Sequence, residues 1–503
     1  MKQLVKLPEP TLLFGYNQWM EDPRDGLTLF GPLEQDRPYG IHYGVIGTRT
    51  GIKLLEEWIQ WAQGPVVMEG RMVARHPFPG FEAAFRVPWN PRPSICHELS
   101  EDEIGNYLYL DDGRQRVYGT VGVFANPIIQ ACKTEESKTD VWFVVIPDDV
   151  RTYCRPHSVV DPEVRQQALR KFSSTAAAKA FYKTRSLFPE YEEETTPYLY
   201  EEHFRDQLKA RLLASTVPTQ VVRESTLANT EPLDVEKKNE SEVRLQSAIA
   251  WTLSTAAFYK AGGRPWKLAR VREGVCYVGL VFKKDDTSGD RRMACCAAQM
   301  FLDSGDGVVF KGAVGPWYSP DKREFHLSKE AARELGKLAV ESYRKRVGEE
   351  PREMFIHGRV RLDNDEWSGF EEAVTGKSNL VGVRIRDEPN WKLYRYGRNP
   401  LLRTLAYIES ERKAVLWTRG WTPRLQTYPG LEVPNPLSIE INRGTADIEV
   451  VLSDILGLTK LNFNSCIFAD GNPITLKFAD AIGEVLTAGP VKDVPPLPFR
   501  FYI

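Results

Sequence analysis

The stretch HFRDQLKARLL, residues 203–213, decides how this chain is read. As a helix it sets Phe204, Leu208 and Leu212 four apart on one stripe and Arg205, Lys209 and Leu213 on the next. Arg205 and Lys209 then stand one turn apart, so a planar guanidinium fork and a compact ammonium can converge on one anion, and a phosphate suits that pair. The plainer alternative is a solvated basic face. Context weighs against it. Eleven residues past Lys209, PTQVVREST (218–226) presents Gln220 in an expected strand, and AFYKAGGRPWKL (257–268) places Lys260 at the end of a helix closed by two glycines.

With 503 residues, the chain is long enough for two or three domains, each burying its own core. Hydrophobic residues at 42% and charged residues at 27% exclude wholesale disorder. The formal charge of -2 means that any nucleic-acid surface is a local groove and not a global field. The seven cysteines (Cys96, Cys132, Cys154, Cys276, Cys295, Cys296, Cys466) form no CxxC pair and no zinc spacing, as expected of reduced thiols. Glu and Pro interrupt the first 26 residues where a signal peptide needs an apolar run, and no later window approaches a membrane span. These features predict a soluble, cytoplasmic protein.

The first part reads as α/β, with TDVWFVVIPDD (139–149) as a buried strand between helices. One helix is expected in GTRTGIKLLEEWIQWAQG (47–64), with Ile52, Leu55, Trp58 and Ile59 facing inward. Another is expected from the Asp-Pro of DPEVRQQALRKFSSTAAAKAFYKTRS (161–186). The polar segment 225–243 is the candidate crossing between domains. Beyond it come a helix (LQSAIAWTLSTAAFYKAGG), three runs (VCYVGLVFKK, RRMACCAAQMFL, GVVFKGAV) that predict an antiparallel meander, a charged helix (328–348), the strand EMFIHG and a second helix near EWSGFEEAVTG. Three strands, helix, strand, helix is the order of a ribonuclease-H-like sheet. The tip PLPFRFYI is expected to dock.

The ordered series EPTLLFGYNQWMEDPRDGLTLFGPL, VWFVVIPDDV, QLKARLL, PTQVVREST, YKAGGRPWKL and LTKLNFNSCIFADGNPITLKFADAIGEVL resembles the short prokaryotic Argonautes, which consist of a MID and a PIWI domain. The resemblance runs through essentially the whole chain. It implies an α/β fold with a Rossmann-like MID domain over 1–240 and a ribonuclease-H-like PIWI domain over 241–503. It also implies that Arg205, Lys209, Gln220 and Lys260 grip the 5' phosphate of a small guide. Arg205 fills a slot often held by Tyr or His, which favours charge contact over stacking. The family's C-terminal carboxylate, here Ile503, would meet a magnesium ion in the same pocket together with Gln220, and a hard cation between oxygens is chemically apt.

Cleavage on this sheet needs carboxylates holding two divalent ions. At the positions where active relatives carry them this chain has Val281, Gly358 and Asn462, with Asn464 nearby. Asp285 and Asp286 read as turn residues, and Asp363, Asp365 and Glu366 as a helix start. His357 has no ligand partners in the sequence and reads as structural, and His203, at the guide-end helix, is assigned no role. The resemblance therefore implies a non-cleaving protein that uses a guide RNA to select complementary single-stranded DNA. It implies a heterodimeric partner carrying an APAZ region and an NAD-consuming sirtuin-like or TIR effector, with further oligomerisation on activation, in defence against plasmids and phage. The alternative is a guide-directed DNA endonuclease with rearranged carboxylates.

Overall fold

The computed structural model describes residues 2–34, 39–66, 76–134, 138–168, 172, 177–178, 180–181, 194–228, 240–270, 272–284, 294–301, 307–311, 317–319, 324–374, 376, 378–428, 433–490 and 497–503. The chain opens with three short strands, β1 (Gln3–Lys6), β2 (Leu12–Leu13) and β3 (Trp19–Met20), of which β1 and β2 find partners much later in the chain. A four-stranded parallel sheet follows, built from β4 (Tyr43–Thr48), β5 (Ile95–Leu99), β6 (Val141–Ile146) and β7 (Thr219–Arg223) in the order β5-β4-β6-β7. Every residue of β4 and β6 is buried, as central strands of a sheet covered on both faces must be.

The covers explain those runs. Helix α1 (Arg49–Trp61) brings Ile52, Leu55, Trp58 and Ile59 onto the face shown by Tyr43, Val45, Val141, Phe143 and Val145. Helices α2 (Gly113–Thr134) and α3 (Phe204–Leu212) close the other face, where Val117, Phe124, Phe204, Leu208 and Leu212 meet Ile46, Trp142 and Val144. The apolar stripe expected in residues 203–213 is thus core. The helix expected from Asp161-Pro162 does not begin there. Residues 161–168 form a turn and a bridge in which Gln166 pairs with Leu110, and the Asp161 carboxylate accepts from the Tyr153 hydroxyl at 2.7 Å instead of capping. Most of 169–186 lies outside the described residues. The crossing expected at 225–243 is narrower than its composition suggests: Glu224–Leu227 is a helical turn held by Thr48, and α4 (Glu240–Lys260) has begun by residue 240.

The second sheet has nine strands. After β8 (Lys267–Leu268), the strands β9 (Val275–Lys284), β10 (Ala294–Phe301) and β11 (Gly307–Lys311) form the predicted antiparallel meander, while the short β12 (Trp317–Ser319) and β13 (Glu324–His326) pair apart. The helix α5 (Lys329–Val347) leads to β14 (Glu353–Gly358), parallel to β9, and α6 (Asn364–Val374) leads to β15 (Asn379–Asp387), parallel to β14. This is the ribonuclease-H-like order. It is extended by β16 (Leu405–Ser410), β17 (Lys413–Leu416) and β18 (Leu437–Arg443). Helices α5 and α6 cover one face through Leu335, Ala339, Phe370 and Val374. Helices α7 (Ile448–Leu458) and α8 (Ile474–Thr487) cover the other. Gly279 on β9 is where α8 comes closest: a Cβ there would lie 2.0 Å from the Thr475 carbonyl oxygen. The turn holding Asp285 and Asp286 lies outside the described residues.

A boundary at residue 240 separates the strands of the two main sheets with one exception: β1 pairs antiparallel with β16 at the edge of the nine-stranded sheet. The β2–β3 hairpin likewise adds β8 as its third strand. Glu9, just after β1, locks this crossing. Its carboxylate meets Arg403 at 3.1 Å and Lys460 at 2.9 Å, two side chains with almost no exposure. Burial pulls the Lys460 ammonium down to about 8, with Glu9 opposing the shift. Among the described residues no helix is long and apolar enough to cross a membrane. Removing one partner of a buried ion cluster typically costs about 3–5 kcal/mol. Glu9→Gln is accordingly expected to lower the denaturation midpoint clearly, as followed by circular dichroism in guanidinium; an unchanged midpoint would show that the cluster does not hold the crossing.

Candidate phosphate-binding site and its cavity

Of the four side chains expected to meet, the two lysines converge on the main chain of Thr219, Gln220 is held by Lys260, and Arg205 stands beside them on the Tyr502 carbonyl. The Lys209 ammonium donates to the Thr219 carbonyl at 3.1 Å and to the main-chain oxygen of Ile503 at 2.7 Å. The Lys260 ammonium donates to the same Thr219 carbonyl at 3.1 Å and to Gln220 Oε1 at 2.6 Å. Arg205 donates to the Tyr502 carbonyl at 3.4 Å and pairs with Asp206 at 2.8 Å. The chain's last residues dock as expected, with Phe499 edge-on to Phe478 and both Tyr502 and Ile503 buried.

This geometry has a local origin. The buried stripe of α3 fixes the rotation of that helix, which sends Lys209 inward beside β7, and β7 is the edge strand whose Thr219 carbonyl remains open to it. Lys260 arrives from the last turn of α4, where Gly262 (φ 97°) reverses the chain. Lys209 is therefore not on a solvated face: it is 2% exposed, and Lys260 is 3% exposed. No Asp or Glu carboxylate lies within salt-bridge distance of either among the described residues; the oxygen that Lys209 meets at 2.7 Å belongs to Ile503, the last residue of the chain. Burial first, then the Lys260 and Arg205 charges, push Lys209 well below the usual lysine range. Burial and Arg205 do the same to Lys260. Two buried ammoniums with no Asp or Glu partner are costly to hold, and an anion at this point would relieve that cost.

Asp206 organises the rim. Burial raises its carboxyl, but the hydrogen bond and charge of His203 and the charge of Arg205 outweigh that and leave it below the ordinary range. His203 Nδ1 lies 2.8 Å from Asp206 Oδ2 and 3.4 Å from the Asp206 amide; the shorter contact makes Nδ1 a donor to the carboxylate. His203 and Arg205 open into a cavity of about 590 Å³ between β7, α3 and α4. Gln220, Arg151, Arg155, Arg223 and Asn464 supply its other polar groups, against an apolar wall that includes Val150, Ile249 and Leu253. The sequence reading missed Arg151 and Arg155, although they stand four apart in PDDVRTYCR directly after the buried β6, where open parallel sheets bind ligands.

For magnesium, Gln220 Oε1 and the Ile503 main-chain oxygen are hard donors of the right kind, and each now accepts from a lysine ammonium. Their oxygen chemistry fits a divalent ion beside a phosphate, with the ammoniums as competitors for the same oxygens.

The positions compared with catalytic carboxylates fall elsewhere. Val281 is buried in β9, and Gly358 ends β14 opposite Leu280 and Arg384. Nearby on α8, Asp480 is held by Arg359 at 2.6 Å and Glu484 by Lys283 at 3.3 Å. Asn462 is turned into its own loop, donating to Ser465 and accepting from the Asn464 amide, and Asn464 lines the cavity. The asparagine pair therefore belongs to the neighbourhood of the phosphate site. Phe463 between them packs on Tyr259, the residue before Lys260. His357 is buried, hydrogen-bonded to Thr475, and pushed down to about 3 by desolvation, so it is a neutral core residue.

Another cluster, His326 with Asp363 and Glu366, could geometrically hold a metal. Glu366 already accepts from the Leu327 and Asp363 amides and contacts His326 Nδ1 at 3.0 Å. Asp363 accepts from the Glu366 amide at 2.8 Å, the reciprocal capping that a helix start needs.

No family model matches the chain. A curated relative, the protein argonaute of Aquifex aeolicus (strain VF5), is 24% identical over 293 residues, which is 57% of this chain and 36% of the relative. The structure of Clostridium butyricum Argonaute bound to a guide DNA and a 19-mer target DNA superposes with a TM-score of 0.64 at 15% identity. It matches 100% of this chain and 55% of that one. Drosophila Piwi superposes with a TM-score of 0.57 at 12% identity, over 99% of this chain and 56% of that one. The chain thus has an Argonaute-like fold, consistent with a Rossmann-like MID unit and a ribonuclease-H-like PIWI unit, and it spans little more than half the length of these solved chains.

Lys209 has no Asp or Glu partner among the described residues to strand, so exchanging its ammonium for an apolar side chain of similar volume removes a desolvation cost. The expectation is that Lys209→Met melts no lower than the unmodified protein in a thermal scan near neutral pH. A clear drop would mean that the ammonium is there for stability.

Proposed function

We propose that the chain binds the phosphorylated 5' end of a small guide RNA and uses the guide to select complementary single-stranded DNA. The carrying observation is the meeting of Lys209 and Lys260, buried and with no Asp or Glu partner among the described residues, on the carbonyl of Thr219 beside a nucleotide-sized cavity. In this reading the two ammoniums and the Arg205 fork take the phosphate, and the cavity takes the first nucleoside. Gln220 and the Ile503 main-chain oxygen are the donors for a magnesium ion, which would neutralise further phosphate charge. Base pairing would then supply sequence specificity while the protein reads backbone and duplex shape.

The same reading makes the chain a non-cleaving, short-type Argonaute. Its support is Val281 and Gly358 on the strands where carboxylates would be needed, with Asp480 and Glu484 engaged by Arg359 and Lys283. The output would come from an APAZ-containing effector bound as a heterodimer, with a sirtuin-like or TIR domain that depletes NAD. The second reading, a guide-directed DNA endonuclease, draws on the Asp363–Glu366–His326 cluster. It predicts manganese- or magnesium-dependent cutting of a matched target that is lost in Asp363→Asn.

The deciding experiment is binding of otherwise identical guides with and without a 5' phosphate. Truncating one partner of a buried charge contact costs about 2–5 kcal/mol, so Lys209→Ala or Lys260→Ala should erase a preference of ten-fold or more for the phosphorylated guide. An equal preference in both variants would refute the site. The pH dependence has a defined sign. Each lysine's lowered pKa disfavours its charged form, and a bound phosphate restores that form, so binding takes up protons and the preference should fall as pH rises through the lowered pKa values. It should also weaken below about pH 6, where the phosphate regains its second proton. A filter-binding series from pH 5 to 10 reads both limbs.

A further inference from the structure

On the face of the nine-stranded sheet opposite α8, two adjoining cavities of about 350 and 530 Å³ share Arg361, Leu362 and Arg443 and form one groove across β15, β18 and β17. Arg361, Arg384, Arg412, Lys413 and Arg443 bring five cations to it, and the lining acids are Glu324, Asp363 and Glu440. Strand register explains the alignment: Arg384 and Lys413 both stand opposite Glu440, from its two sides. Glu440 is thereby shared. It pairs with Arg361 at 2.8 Å and Arg384 at 3.4 Å, and Lys413 adds to the charge that lowers its pKa against burial.

Arg443 and Arg412 are held by neutral oxygens instead. Arg443 donates to the Leu362 carbonyl and Asn364 Oδ1, and Arg412 to the Ile441 and Gly444 carbonyls. Two guanidiniums are thus oriented by neutral oxygens, with no carboxylate in salt-bridge contact among the described residues. Along the same face runs the segment WKLYRYGR, 391–398. Trp391 and Leu393 pack down with Tyr407, Val415 and Trp417, while Tyr394 (74% exposed) and Tyr396 (104%) point away, interleaved with exposed Lys392, Arg395 and Arg398.

We propose that this face is a second nucleic-acid site, taking a single-stranded polynucleotide whose phosphates follow the groove and whose bases stack on Tyr394 and Tyr396. Oriented guanidiniums track a backbone, and exposed aromatics between cations accept any base. The pairing favours a nucleic acid over an acidic protein surface, because a carboxylate-rich partner makes no use of ring faces. The site is built from other elements than the phosphate cluster at Thr219. It deepens the guide-and-target reading by giving the strand beyond the paired region a surface to lie on.

The test uses the full chain without a guide, titrated with fluorescent oligo(dT) across 50–200 mM salt. Arg412→Gln with Lys413→Gln should lower affinity at least five-fold and reduce the slope of log K against log salt by about 1–2. Tyr394→Ala with Tyr396→Ala should lower affinity about ten-fold without changing the slope. Unchanged binding in the groove variants, with their melting temperature retained, would overturn the proposal, as would full competition by poly-glutamate of equal charge. Loss of the 5'-phosphate preference concerns only the guide reading, since this titration contains no guide.

Discussion

The carbonyl oxygen of Thr219 accepts from two ammoniums that its surroundings would otherwise discharge, and the arrangement of the first half of the chain serves that contact. For Lys209 to point there, α3 must be rotated so that Phe204, Leu208 and Leu212 enter the core. For the carbonyl to be open, β7 must be an edge strand. For Lys260 to arrive from the other side, α4 must end where it does and turn at Gly262. The site is therefore assembled between two sheets, and the burial that fixes its geometry also makes its charges expensive. That is the usual condition of a binding site: groups held in costly positions because the ligand relieves the cost.

The two sheets are coupled well beyond that point. β1 joins the far edge of the nine-stranded sheet, Glu9 closes over Arg403 and Lys460, and α8 lies against β9 so tightly that only glycine fits at residue 279. The terminal segment that contacts Lys209 is anchored on α8 through Phe499 and Phe478. A shift at the phosphate cluster would thus press on the helix that covers the ribonuclease-H-like sheet through packed side chains, and close-packed interfaces of this kind move as units.

Much of this was legible in the sequence. Strands buried on both faces show as unbroken apolar runs, so β6 was plain. The meander followed from three runs between turns, and the convergence of Lys209, Gln220 and Lys260 was anticipated by spacing and by family resemblance together. What stayed hidden has physical reasons. Lys209 belongs to a stripe that a helical projection assigns to solvent, and only the edge position of β7 reveals that it is buried. Asp161-Pro162 carries a helix-start signal, but Tyr153 claims the carboxylate through a contact set by tertiary packing. Pairing of β1 with a strand some 400 residues away leaves no local trace, since register is specified by the partner. Asn462 and Asn464 were read against the catalytic position, whereas the loop that carries them packs Phe463 on Tyr259 and brings Asn464 to the cavity, a tertiary contact with no local trace.

Charge placement ties the halves together. The chain is nearly neutral overall, yet arginines and lysines gather locally at the rim of the cavity, at the ends of β9 and β14, and on the face of β15, β18 and β17. At the strand ends Lys283 and Arg359 neutralise the carboxylates of α8. A sheet whose acids are engaged in this way repels a phosphodiester less and is a poorer cradle for divalent ions. A polyanion lying over such a surface gains contacts with its backbone rather than chemistry at one bond. A protein can convert that kind of affinity into a conformational preference only if the bound strand favours one arrangement of its packed elements over another. The coupling between the cluster at Thr219, the docked terminal segment and α8 is the part of this fold with the geometry to express that difference.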